Sequence, residues 1–236
     1  MKKSVLVVVS VFVLAVVCGL LTVDSFSAEK EKGLTGWWKF DEGSGEAVKD
    51  SSGNGNDGTI NGAEWTAGKF GKALKFNGDG FVEISHSDAL IPEKFTLEAW
   101  VNVSNIASDD RGPMILSKYG GNYKGYMLVL EGASGMPSMH IDSPENEIAI
   151  TAQEAVKTGQ WYHVAGTFDG AKGSLYVNGA LKDSKECEIT HDDAIALIIG
   201  KASWFDGAYF FGSIDEVKIF DRVLTADEIK AHAAAK

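Results

Sequence analysis

Hydrophobic and polar residues alternate along most of the chain after residue 33. Phe95, Leu97, Ala99 and Val101 are separated by Thr96, Glu98, Trp100 and Asn102. Successive side chains on a strand point to opposite faces, so this run predicts a half-buried strand. Residues 126–130 form a short apolar run of the buried-strand kind, and residues 161–168 are rich in aromatic and β-branched side chains. Asp169-Gly170 follows the second run, and Asn178-Gly179 follows the apolar segment 175–177. Both dipeptides accept the positive φ angles of tight hairpin turns. Residues 194–199 and 213–220 supply two more strands. One helix is predicted near the end, where Thr225 and Glu228 make a Thr-x-x-Glu capping box and Ile229 begins a short apolar face. Strands parted by turns, with a single short C-terminal helix, predict an all-β antiparallel two-sheet sandwich.

The first 28 residues follow another pattern. Lys2 and Lys3 precede a nearly continuous apolar stretch over 5–23, and Ser25 and Ser27 put small residues at −3 and −1 of a cleavage site. This is the arrangement of a secretory signal peptide over 1–28, cleaved after Ser27 or Ala28. The alternative is an uncleaved membrane anchor, since 19 residues are just enough to span a bilayer. Residues 29–33 read as a short charged linker and 34–232 as one domain. A secreted, periplasmic or cell-surface location follows from either reading.

Charge narrows the partners. The chain has 22 basic and 33 acidic residues, a net charge of −11, and no basic run. Phosphate backbones need clustered Lys and Arg, so nucleic acid is not a predicted partner. Anionic lipid surfaces would repel the chain beyond its leader. Of two cysteines, Cys18 lies in the leader, so Cys187 has no internal disulfide partner and reads as a small, partly buried apolar residue.

Six segments carry a resemblance. Residues 36–45 (GWWKFDEGSG), 50–59 (DSSGNGNDGT) and 71–78 (GKALKFNG) come first. Residues 95–101 (FTLEAWV), 161–170 (WYHVAGTFDG) with 175–179 (LYVNG), and 212–220 (GSIDEVKIF) follow in order. Together they resemble laminin-G-like jelly-roll domains of the concanavalin A-like lectin/glucanase superfamily, over about residues 34 to 232. The resemblance implies two packed antiparallel sheets with the first and last strands adjacent. It also implies carbohydrate or protein ligands and, in many relatives, a bound Ca²⁺. One fold hosts many activities, so the ligand must be argued from a site.

Two features carry candidate chemistry. Asp50, Ser52, Asn54 and Gly55 follow the first half of an Asp-x-[Asp/Asn]-x-[Asp/Asn]-Gly calcium loop, with Ser as a substitute. The twelfth position is Asn61 rather than Glu, so the missing carboxylates must come from elsewhere. With the terminal strands adjacent, Asp41 and Asp215 are the candidates, giving Asp41, Asp50, Asn54 and Asp215 as the expected Ca²⁺ set. The competing reading is an ion-free surface turn, with Asp41 and Asp215 capped by backbone amides. The second feature is aromatic. Tyr119, Asn122 and Tyr123 in one loop, and Trp204 and Asp206 in another, combine flat rings with polar neighbours as a sugar requires. The competing reading is that these rings pack the loops onto the sandwich. Trp37, Trp38, Trp100 and Trp161 lie inside strand patterns and read mostly as structural.

Catalytic patterns are thin. No Glu-x-Asp-x-Glu run puts two carboxylates on one strand face, and the neighbours Asp215 and Glu216 point to opposite faces. There is no Gly-x-Ser-x-Gly elbow. The histidines show no zinc spacing, and His163 reads as a structural residue. The expectation is therefore a non-catalytic binding domain for glycans or glycoproteins, with Ca²⁺ assistance left open. Alternatives are an adhesion module for protein partners and, third, a glycan-active enzyme.

Overall fold

The computed structural model describes residues 31–106, 112–120, 123–143, 146–192 and 194–235. The leader over 1–28, the first part of the linker and Asn122 lie outside the described residues. The early strands are β1 (Leu34–Trp38), β2 (Ala47–Val48), β3 (Gly58–Asn61), β4 (Glu64–Ala67), β5 (Lys72–Asn77) and β6 (Phe81–Ile84). The middle strands are β7 (Phe95–Val103), β8 (Met114–Gly120), β9 (Lys124–Glu131), β10 (Met136–Ser143) and β11 (Asn146–Thr151). Then come β12 (Trp161–Phe168), β13 (Lys172–Val177), β14 (Ala180–Glu186), β15 (Leu197–Ile199), β16 (Phe211–Phe220) and helix α1 (Ala226–Ala234).

The strands form two antiparallel sheets. The first runs β14-β13-β12-β7-β16-β5-β4, with β1 also on β16, and the second runs β11-β10-β9-β8-β15-β6-β3-β2. The predicted sandwich is thus present. The strand predicted over 194–199 shortens to β15, because the Ala194 amide donates to Asp192 Oδ1 and forms a local turn instead of a ladder. Among the described residues no helix is long and apolar enough to cross a membrane.

The core lies between the sheets. Leu97, Ala99 and Val101 of β7, Val164 of β12 and Ile214 of β16 face Leu128 and Leu130 of β9 and Met139 and Ile141 of β10 in one continuous cluster. Burying each large aliphatic side chain contributes about 1.5–3 kcal/mol, which suits a fold without a disulfide. Cys187 joins this cluster, and burial pushes its thiol up to about 11. Trp38 is fully buried, and its indole N–H donates to Asn56 O at 2.8 Å.

Strand β16 is the tie of the first sheet. Residues Phe211 to Ile214 pair with β5, while Val217 to Phe220 pair with β1, and β7 runs along the other edge of both halves. The register slips between Asp215 and Lys218, and Glu216 takes a φ of 51°. A bulge of this kind lets one strand change partners.

Helix α1 closes on this sheet. Ile229 packs with Leu34, Ala165, Phe220 and Leu224. The predicted capping box is present, and Arg222 grips Glu228 with two hydrogen bonds of 3.0 and 2.7 Å. Those bonds and the Thr225 donors hold the Glu228 carboxyl down at about 2, against an ordinary 4.5. A depressed carboxylate stabilises the fold above its unfolded pKa, and that contribution fades as pH falls through its folded one. Melting curves between pH 4.5 and 2 should therefore show a steeper loss in the wild type than in Glu228→Gln.

Candidate functional site

The outer face of the second sheet is ordered by register. Tyr119 of β8 pairs with Gly125 of β9, Gly125 with Asp142 of β10, and Asp142 with Glu147 of β11. The next outward row is Ser117, Met127, His140 and Ala149, and beyond it lie Val129, Ser138 and Thr151. Gly125 sits at φ 125°, and a Cβ there would lie 2.1 Å from Lys118 O. Only glycine fits there, so no side chain stands between Tyr119 and Asp142 in the first row, two strands and roughly 10 Å apart at Cα. Burial, then the Asp142 charge, pushes the Tyr119 hydroxyl up.

This face has an apolar end and a polar end. Met114, Tyr119, Met127, Val129, Ala202 and Ala208 form a cluster separate from the main core, with Trp204 and Phe205 lying over it. The Trp204 ring meets Tyr119 edge-on at 4.5 Å, and Phe205 at 5.3 Å. Ser203 pins the covering loop, since its hydroxyl donates to Tyr119 O at 2.8 Å and accepts from Tyr119 N at 3.0 Å. At the polar end His140 Nε2 is 2.9 Å from Glu131 Oε1, and His140 Nδ1 is 3.7 Å from Glu147 Oε1. Asp142 is 0% exposed; its Oδ1 accepts from Ile148 N at 3.0 Å. Burial pushes its carboxyl up to about 6.

The structure brings together residues the sequence left in two loops. Tyr119 and Trp204 meet directly, but Tyr119 is only 5% exposed. It backs Trp204 instead of meeting solvent, which is the packing role set against the ligand role above. Tyr123 is 50% exposed at a φ of 63° in the β8–β9 connection. Asp206 is open to solvent, accepts from the Tyr209 hydroxyl and pairs with Lys201 at 3.2 Å. Asn122 lies outside the described residues.

Each residue of the expected calcium set meets a backbone partner. Asp50 accepts from the amides of Trp37 and Ser52 at Oδ1 and of Asn56 at Oδ2, at 3.1, 2.8 and 3.0 Å. Asn54 turns its Nδ2 towards Leu34 O and Thr35 O, both at 3.0 Å. The 50–58 turn is thus laced onto β1. Asp41 accepts from Lys72 N and Asp215 from Phe70 N, each at 3.0 Å, so both clamp the turn before β5. Burial raises Asp215 to about 7, which suits a carboxyl turned inward. Among the described residues Asp41, Asp50 and Asp215 do not converge; the acidic and histidine group whose ligand atoms do is His140, Asp142 and Glu147. Ca²⁺ needs six to eight oxygens around one point, and the expected set does not fit that demand.

Comparison with known proteins places the fold. Residues 76–230 match the family model described as the concanavalin A-like lectin/glucanases superfamily. The chain belongs to this superfamily. It is 31% identical to mouse (Mus musculus) pentraxin-related protein PTX3 over 152 residues, which is 59% of this chain and 38% of that protein. It therefore spans well under half of that relative. Domain 4 of AbnA, a GH43 extracellular arabinanase from Geobacillus stearothermophilus solved with arabinotriose, superposes with a TM-score of 0.70 at 23% identity. That match covers 85% of this chain and 98% of the arabinanase domain. The binding domain of botulinum neurotoxin DC in complex with SialylT gives 0.66 at 16% identity, covering 85% of this chain and 51% of that one. At these identities the structural matches show the shared fold.

This lectin-like sandwich also carries a concavity on the other sheet that periodicity did not reveal. A cavity of about 350 Å³ under α1 is lined by Trp37, Phe70, Trp100, Glu98, His163 and Glu216, among others. Trp37 and Trp100 thus line an outer cleft rather than the core. Trp37 Nε1 donates to Glu216 Oε2 at 2.6 Å, and His232 Nδ1 lies 2.7 Å from Glu98 Oε2. Burial drives His163 down to about 4, so the imidazole is neutral at pH 7. The lysines of the rim already cover the rings, with Lys39 4.0 Å from Trp37 and Lys69 4.5 Å from Trp100. These contacts knit helix and sheet together and leave the Trp204 face as the better candidate.

The lacing role of Asp50 has a direct check. Asp50→Ala strands three backbone donors, two of them on buried residues. It should cost about 2–4 kcal/mol in urea unfolding, by the penalty for unpaired buried donors. Adding Ca²⁺ should leave that difference unchanged.

Proposed function

We propose that the chain is an exported, non-catalytic binding domain whose ligand is a glycan or glycoprotein, held against Trp204 and Tyr123. The observation that carries this reading is the Trp204 ring, partly exposed and braced from beneath by the buried Tyr119. A sugar offers flat C–H faces to such a ring, and a braced ring loses little freedom on binding. Ligand sites combine an apolar platform with a few fixed polar groups, and Asp206 and Lys201 stand beside this one. The relatives agree in kind: one domain of this fold was solved with arabinotriose and another with SialylT. Export rests on the leader pattern over 1–28 and is in keeping with an arabinanase described as extracellular.

A glycan array with the chain free of its leader tests the reading. Saturable sugar binding is expected, equal with and without added Ca²⁺. Trp204→Ala should weaken it about tenfold or more, as loss of a central aromatic anchor does. Its melting temperature should move by no more than about 4 °C, the scale of 1 kcal/mol in a domain of this size. Unchanged affinity in the double variant Trp204→Ala with Tyr123→Ala would remove this face from consideration. A protein partner that sugars do not displace would favour the adhesion reading instead.

A further inference from the structure

The β10–β11 hairpin places two carboxylates directly across from each other, Asp142 and Glu147, with His140 two residues earlier on the same face. Like charges opposite one another destabilise a sheet, because their Cβ atoms are only about 4.5–5.5 Å apart. Asp50 has donors on both oxygens, from three amides. Asp142 has a donor on Oδ1 alone, the Ile148 amide. Asp142 Oδ2 is buried with no hydrogen-bond partner, and so is His140 Nδ1.

The histidine is also oriented. Its Nε2 lies 2.9 Å from Glu131 Oε1, and its Nδ1 faces Glu147 Oε1 at 3.7 Å. A hydrogen on Nε2 bridging to the Glu131 carboxylate leaves Nδ1 as the nitrogen available to a cation. A carboxylate behind the distal nitrogen is the usual support of a metal-ligating imidazole. Atoms of His140, Asp142 and Glu147 lie within 4.8 Å of one another. The His140 Nδ1 to Glu147 Oε1 distance of 3.7 Å is near the roughly 3.3 Å spacing that ligands take around tetrahedral zinc.

We propose that His140 Nδ1, Asp142 Oδ2 and a Glu147 carboxylate oxygen bind a first-row divalent cation of the Zn²⁺ class. One imidazole and two carboxylates suit such a cation, whereas Ca²⁺ takes oxygen alone. Three protein ligands leave a fourth position, and the half-exposed Glu147 side chain marks the side on which it opens. No zinc spacing is visible along the chain, since the ligands span a hairpin instead of a helix turn. The site stands independently of the sugar reading, because its test is metal uptake itself.

Titration calorimetry with Zn²⁺ and melting curves at rising Zn²⁺ test it. One ion per chain is expected, with a melting temperature that climbs with metal concentration as binding to the folded state requires. Co²⁺ in place of Zn²⁺ should give ligand-field absorption in the visible. Glu147→Gln keeps the fold, since that side chain is half exposed, and should abolish the metal-dependent rise; His140→Gln should do the same. Glu131→Gln should weaken binding about ten- to a hundredfold, as loss of a supporting carboxylate does. Failure of the wild type to take up Zn²⁺, or equal uptake by Glu147→Gln and His140→Gln, would overturn the assignment.

Discussion

Burial of one face of β8, β9, β10 and β11 against the other sheet governs the rest of this molecule. Leu128, Leu130, Met139, Ile141 and Ile150 must face inward to complete the core. With a side-chain period of two, that choice forces Met127, Val129, His140 and Asp142 outward. A slip of one residue would exchange the two sets and bury a histidine and a carboxylate in the core. The outward rows are therefore as well specified as the core itself. Both the braced aromatic ring and the His140 cluster inherit their positions from it.

The acidic side chains divide by what their oxygens touch. Asp50, Asp41 and Asp215 accept backbone amides and tie turns to strands. Asp50 replaces several ladder bonds that the irregular 50–58 turn cannot make, and Asp41 and Asp215 hold the turn where β16 leaves β5 for β1. Asp50 is fully engaged, with donors on both oxygens. Asp142 and Asp215 each keep one buried oxygen without a partner. What sets Asp142 apart is its company: His140 and Glu147 bring ligand atoms within 4.8 Å of it, and among the described residues no such group forms around Asp215.

The aromatic and polar ends of the outer face share Tyr119. Its ring supports Trp204 on one side, and its hydroxyl is perturbed by Asp142 on the other. Gly125, paired with both Tyr119 and Asp142, puts no side chain between them, and backbone fills the place a Cβ would take.

Much of the fold was legible in the chain. Alternation at 95–101 and at 161–168, the Asn-Gly and Asp-Gly turns and the Thr225 capping box report local preferences that neighbours reinforce, and each appears where the pattern put it. The candidate site was legible only in part. Aromatic residues in two loops were visible, but that Trp204 lies on Tyr119, and that Tyr119 is the buried member, depends on packing across 85 positions. The calcium-like spacing at 50–58 counts oxygens along a turn and carries nothing of the amides that meet them. His140, Asp142 and Glu147 gave no motif, since strand register sets them side by side. Sequence alone determined which residues alternate, turn and cap, because those depend on near neighbours. Only the tertiary structure decided which polar atoms are left without a partner, because a hydrogen bond across a sheet is closed by residues that the chain places far apart.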